Sequence, residues 1–126
     1  MSAKVVHFEI PADDVARAQE FYRSAFDWTL NFMPELDYTS VTTTPTNDQG
    51  MPDEPGAING GMYQRQKSLS TPIITIAVED IDQALKTIGS LGGSTVSPKE
   101  PVADMGFAAY FKDSEGNVLG LWQNAS

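Results

Sequence analysis

Cysteine is absent from the 126 residues. That excludes disulfides, thiolate metal sites, iron–sulfur clusters and cysteine nucleophiles. Histidine is nearly absent as well: His7 is the single one, so no site within one chain can use two imidazoles. Basic residues are few, 8 against 17 acidic ones, for a formal net charge of −9. A surface of that sign repels phosphate backbones, which argues against nucleic acid as a partner and weakly favours cationic ligands. No apolar run approaches the roughly 18 residues of a membrane span, so no membrane partner is expected. Residues 1–7 lack an apolar stretch followed by a cleavage site, and the expected location is a reducing cytoplasm.

What remains is a globular composition, 40% hydrophobic and 20% charged. The length suits a single domain, with one core and no room for two independent ones.

Local patterning divides the chain into two similar halves. Val5 to Ile10 alternates, with Val6, Phe8 and Ile10 on one face and Val5, His7 and Glu9 on the other; Pro11 is expected to end this strand. A helix follows from Asp13 or Asp14, whose carboxylate can cap free N–H groups. Its apolar stripe is Val15, Ala18, Tyr22 and Ala25, with Phe21 and Phe26 beside it, and Asp27 closes it. Residues 28–32 and 38–44 read as paired strands. Residues 45–59, rich in proline, glycine and asparagine, read as a mobile loop long enough to cover a site, or equally as a plain hairpin extension. Gly60 to Gln64 is a short strand.

The second half repeats the order. Residues 73–78 form a strand of branched residues. Asp80 begins a helix to Leu91, with Ile81, Ala84, Leu85, Ile88 and Leu91 on one face, and Gly92-Gly93 stops it. Strands follow at 95–97, 107–112 and 118–123, the last two joined by turn residues 113–117. Asp14-Val15 matches Asp80-Ile81, and Gly61-Met62-Tyr63-Gln64 matches Gly120-Leu121-Trp122-Gln123, in support of a duplication. The fold class expected is α+β: two tandem βαβββ modules, about 4–66 and 72–123, within a single domain 1–126. Two sheets with a helix on one face each are expected to curl into one mixed sheet around a cleft.

Three segments carry a family resemblance. His7-Phe8-Glu9-Ile10-Pro11 followed by Phe21-Tyr22-Arg23 resembles the opening strand and helix of the vicinal oxygen chelate superfamily, which includes glyoxalase I, bleomycin-resistance proteins and extradiol dioxygenases. Residues Ile76-Ala77-Val78-Glu79-Asp80-Ile81-Asp82 resemble the start of its second module. Residues Phe111-Lys112-Asp113-Ser114-Glu115-Gly116-Asn117-Val118 resemble its closing hairpin. Metal-dependent members send four side chains into the cleft from the first and last strand of each module. Here those positions fall on His7, Gly61, Ile73 and Gly120, of which only His7 can bind a metal. Zinc and iron need three or four protein ligands. The resemblance therefore implies a metal-free, glyoxalase-related subgroup with no cofactor, and a homodimer as the expected assembly.

Candidate residues follow from strand parity. His7 and Glu9 share a face, and an imidazole beside a carboxylate suits acid–base catalysis, the carboxylate raising the imidazole pKa. The same pair also suits a simple hydrogen bond or a dimer seam. Tyr63 and Trp122 occupy matching positions and, with Thr75, are expected to line a ligand cleft; Trp28 and Phe32, or Leu30 and Tyr38, are expected at its rim. Plain core filling is the competing reading of these aromatics. Three functions compete: metal-independent binding of a small aromatic or cationic molecule, a metal-dependent lyase, isomerase or dioxygenase of the glyoxalase type, and an accessory interaction domain without a pocket. The first is the reading adopted.

Overall fold

A computed structural model describes residues 2–125. The chain divides into two compact units, residues 7–72 and residues 2–6 with 73–125. Each has one helix and a four-stranded mixed sheet, the α+β architecture expected.

The first module runs β1 (Val5–Ala12), α1 (Val15–Phe26), β2 (Thr29–Met33), β3 (Tyr38–Thr42) and β4 (Gly60–Gln64), with a 3-10 turn at Pro34–Leu36. β1 pairs parallel with β4, β4 antiparallel with β3, and β3 antiparallel with β2. Pro11 does not end β1. Proline removes one donor but fixes φ near an extended value, so pairing continues through the carbonyls. The Ala12 carbonyl accepts from the Arg65 N–H at 2.8 Å. The Asp14 side chain caps α1 by accepting from the Arg17 N–H at 3.0 Å. Asp27 ends the helix in the left-handed region, φ 59°. Val15, Ala18 and Tyr22 pack on Ala12, Leu30, Val41 and Met62. Met62 is fully buried, a contribution of about 2 kcal/mol from removing its side chain from water.

Residues 45–59 form a self-bonded hairpin extension. Its arms meet at a Thr46–Pro52 bridge, and the Asn47 carboxamide oxygen accepts from the N–H groups of Gln49 and Met51 at 2.9 and 3.1 Å. Asn59 fastens the base: its Oδ1 accepts from the N–H groups of Thr43 and Thr44 at 2.8 and 3.1 Å.

The second module runs β5 (Ile73–Ala77), α2 (Ile81–Ser90), β6 (Ser94–Val102), β7 (Gly106–Lys112) and β8 (Val118–Asn124). β5 pairs parallel with β8, β8 antiparallel with β7, and β7 antiparallel with β6. This is the connectivity of the first module. Asp80 caps α2 by accepting from the Gln83 N–H at 3.1 Å. Ile81, Ala84, Leu85 and Ile88 pack on Ala109, Phe111 and Leu121. Leu91 leaves that stripe, lying beyond the last helical residue and 73% exposed. β6 is three times its expected length. Its register slips between Thr95 and Ser97 and again between Ser97 and Glu100, and such irregularities let a strand carry prolines. Among the described residues no helix is long and apolar enough to cross a membrane.

Candidate functional site

Register fixes which side chains share a face. In the first module, Ile10, Met62, Thr39 and Phe32 lie in one row across β1, β4, β3 and β2. This row faces α1: Gln19 of α1 donates from Nε2 to Thr39 Oγ1 at 2.9 Å. The opposite face carries His7 and Glu9 from β1, Tyr38 and Ser40 from β3, and Gly61 and Tyr63 from β4.

On that face three side chains form a chain of hydrogen bonds. The Tyr38 hydroxyl donates to Glu9 Oε2 at 2.7 Å, and it lies 2.9 Å from His7 Nε2. A phenol has one proton, and here the carboxylate takes it. His7 Nε2 must then be the donor to the phenol oxygen, which fixes the Nε2–H tautomer and leaves Nδ1 with its lone pair. The direct distance from His7 Nε2 to Glu9 Oε2 is 3.9 Å, so Tyr38 is the bridge between them.

Gly61 makes this possible. A Cβ at that position would stand 1.6 Å from Tyr38 Oη and 1.9 Å from Cζ. The phenol tip occupies the volume that any larger residue at 61 would claim. Tyr38 is the functional candidate that sequence reasoning gave only as one of two rim options. The pairing Ser40↔Gly61 is the signal that locates it, because it puts Tyr38 on the face of Gly61.

Electrostatics corrects one expectation. The carboxylate does not raise the His7 pKa; burial holds the imidazole below its ordinary 6.5. Removal from water outweighs a carboxylate that Tyr38 has already engaged. Tyr63 is also perturbed. Burial first, then the negative charge of Glu9, push its phenol well above 10, with Arg65 opposing. Tyr63 is only 7% exposed and its hydroxyl has no hydrogen-bond partner among the described residues. A buried, protonated and unengaged donor thus shares a face with the His7–Tyr38–Glu9 chain.

Trp28 and Phe32 do not belong to this face. Trp28 stacks on Tyr22 of α1, centroids 5.2 Å apart and planes 5° apart, with Phe8 and Phe26 around it. Phe32 lies in the α1-facing row and lines an open groove of about 440 Å³ with Val15, Gln19, Thr39 and Met62. Leu30, the other rim option, is buried in the α1-side core.

In the second module Thr75 and Trp122 share the face away from α2 with Gly120. Thr75 is buried, and its Oγ1 stands 2.8 Å from where a Gly120 Cβ would lie. Trp122 donates from Nε1 to Asn124 Oδ1 at 2.8 Å, and its ring covers Gly106. Ile73, in the position matching His7, is 2% exposed and apolar.

The divalent ion of the family's metal-dependent members does not fit these residues. His7 Nε2 is committed to Tyr38, and Gly61, Ile73 and Gly120 offer no side-chain donor. Among the described residues no group of three or more His, Cys, Asp or Glu is placed to hold a metal.

Comparison with known proteins converges from three directions. A family described as bleomycin resistance protein-like N-terminal matches residues 4–44. Proteins named "Putative glyoxylase CFP32" from Mycobacterium bovis and Mycobacterium tuberculosis are 28% identical, over 91% of this chain and 43% of theirs. The chain thus spans less than half the length of these curated relatives. Among solved structures, Streptomyces coelicolor methylmalonyl-CoA epimerase in complex with 2-nitronate-propionyl-CoA aligns over 100% of both chains, at a TM-score of 0.65 and 14% identity. Hypothetical protein BH1468 from Bacillus halodurans aligns over 100% of this chain and 97% of its own, also at 0.65 and 14%. At that identity the likeness is one of fold.

Proposed function

We propose that this chain, a member of the vicinal oxygen chelate superfamily, binds a small aromatic or cationic molecule without a resident metal ion. The site is the first-module face of His7, Glu9, Tyr38 and Tyr63. One observation carries the reading: the Tyr38 hydroxyl, seated over Gly61, engages His7 and Glu9 together. The groups that would otherwise be free to coordinate an ion are spent on a phenol.

The chemistry of the face suits such a ligand. Phenol rings offer flat apolar surface and a negative π face to a cation. The Glu9 carboxylate adds negative charge, and the chain's net charge of −9 draws cations toward it. The unengaged Tyr63 hydroxyl supplies a polar anchor. Its location in an otherwise buried setting is what small-molecule sites commonly use for orientation.

The test is thermal unfolding of chelator-treated protein with benzyltrimethylammonium, 4-phenylpyridinium and phenylacetone. A ligand present at a hundred times its Kd stabilises the fold by about 2.7 kcal/mol, a shift of several degrees. The reading expects such a shift with at least one compound, unchanged by added zinc. No shift with any, or a shift that requires a divalent ion, refutes it. Native mass spectrometry of the same protein then reports whether it pairs as the expected homodimer.

A further inference from the structure

We infer that the groove between α1 and the first-module sheet is a second binding site, for a primary ammonium group on a short apolar stem, with Asp37 as its counter-charge. The groove lies on the helix-facing side of the sheet, and its occupancy is independent of binding at the His7 face.

The groove follows from the register. Thr39 pairs with Met62 on one side and with Phe32 on the other. Continued by two residues, the pairing of Thr39 with Met62 sets Asp37 opposite Gln64, and parity puts both on the face that α1 covers. That cover is incomplete. The first turn of α1 presents the short side chains of Val15 and Ala16, while the bulk of Tyr22 lies two turns further on, stacked against Trp28. A space of about 440 Å³ is left over this end of the sheet, within the range of small-molecule sites. Every residue lining it belongs to the first module.

Three observations identify the ligand. The first is charge. Asp37 is the only charged residue lining the groove. Its carboxylate has no ion pair among the described residues, whereas Arg65 already holds nearby Asp13 at 2.7 Å. The backbone fixes where Asp37 stands: it closes the Pro34–Leu36 turn at φ 49°, with its N–H donated to the Pro34 carbonyl at 3.2 Å.

The second is the direction of two amide bonds. Gln64 donates from Nε2 to the Asp13 carbonyl at 2.8 Å, and Gln19 donates from Nε2 to Thr39 Oγ1 at 2.9 Å. Each carboxamide is pinned by its nitrogen, so its oxygen is left as an acceptor. One carboxylate and two carboxamide oxygens suit a positive head with several N–H donors. A primary ammonium has three such donors, a quaternary one has none, and an alcohol of the same shape has one and no charge. The third is the apolar wall. Phe32 is 49% exposed, and its ring offers a π face to the ammonium and flat apolar surface to the stem.

The experiment is a proton–nitrogen NMR titration of the full chain with 2-phenylethylamine, and with 2-phenylethanol as its neutral match, each to millimolar concentration. The side-chain NH2 signals of Gln19 and Gln64 should move together and saturate with the amine, and the alcohol should bind about tenfold more weakly or worse, the range of a hydrogen bond to a charged group. Asp37→Asn removes the charge and keeps a residue that tolerates the left-handed backbone. It should weaken the amine by about tenfold or more while leaving the thermal unfolding of the free protein unchanged. Phe32→Ala should weaken both compounds, because the stem loses its wall in either case. Absence of saturable movement at Gln19 and Gln64 overturns the inference, as does equal binding of the alcohol or full-strength binding of the amine to Asp37→Asn. A response confined to the His7 imidazole overturns it too, and leaves the His7-face reading standing.

Discussion

Replacing Gly61 with alanine is expected to break the polar cluster through one methyl group. The new Cβ would lie 1.6 Å from Tyr38 Oη and 2.4 Å from Cε2. These atoms are the far end of a rotatable side chain, so the backbone can stay while Tyr38 swings away. The swing breaks the bonds to His7 and Glu9 and takes one hydrogen bond from a carboxylate on a residue only 7% exposed. A lost charge-assisted bond with its acceptor left buried costs about 2–4 kcal/mol. For a domain of this size that lowers Tm by about 10 °C. The assay is urea unfolding of Gly61→Ala alone and with Tyr38→Ala. In the Tyr38→Ala background the clash is gone and the bonds are already lost. Gly61→Ala should then be neutral within about 0.5 kcal/mol, or slightly stabilising, because alanine loses less chain entropy on folding than glycine does. The coupling between the two substitutions should be about 2 kcal/mol or more. Equal costs in both backgrounds, or a neutral Gly61→Ala in the wild type, would refute the claim that Tyr38 fills the space over Gly61.

Three further outcomes follow from particular residues. His7 is held neutral by burial, its pKa below 6.5, so the unfolded chain binds a proton more readily than the folded one. Stability should therefore fall as pH drops below about 6.5, by at most about 1.4 kcal/mol per unit, and level off below the folded pKa; His7→Gln should remove that decline, and circular dichroism melts across pH 4–8 (about the range in question) read it. Tyr63→Phe should raise stability by about 1 kcal/mol in urea unfolding, since it removes a buried hydroxyl that has no partner among the described residues; a loss of stability would show that the hydroxyl is satisfied in solution. Asn59→Ala should cost about 2 kcal/mol and speed proteolysis within residues 45–59, because its side chain fastens both arms of that extension; cleavage at the wild-type rate would count against that role.

The sequence made the two βαβββ modules legible because their signals are local. Asp14 and Asp80 cap helices where they are expected to, and alternation marks the strands. What it obscured were effects of pairing. Pro11 reads as a terminator, yet at the end of a strand it costs only a donor. Pro98 and Pro101 hide the length of β6, which bulges absorb. On β2, alternation separates Leu30 and Phe32 from Asn31 and Met33 but does not say which set meets α1. The structure gives α1 the first set, and Trp28 with it, which removes Trp28 and Phe32 from the face of His7. The pairing of His7 with Glu9 on one face was readable from parity. Tyr38 between them was not, since that requires knowing that Ser40 stands opposite Gly61.

The central claim is that a phenol, and no metal ion, engages the one histidine. Because His7 is the only histidine in the chain, selective nitrogen-15 labelling of histidine gives an imidazole spectrum with a single residue in it. The most direct measurement is that spectrum at neutral pH, recorded before and after a stoichiometric addition of zinc. The account predicts a neutral ring protonated at Nε2 and bare at Nδ1, unchanged by zinc and mixed in tautomer in Tyr38→Phe. A ring protonated at Nδ1, with an Nε2 resonance that moves when zinc is added, would contradict it.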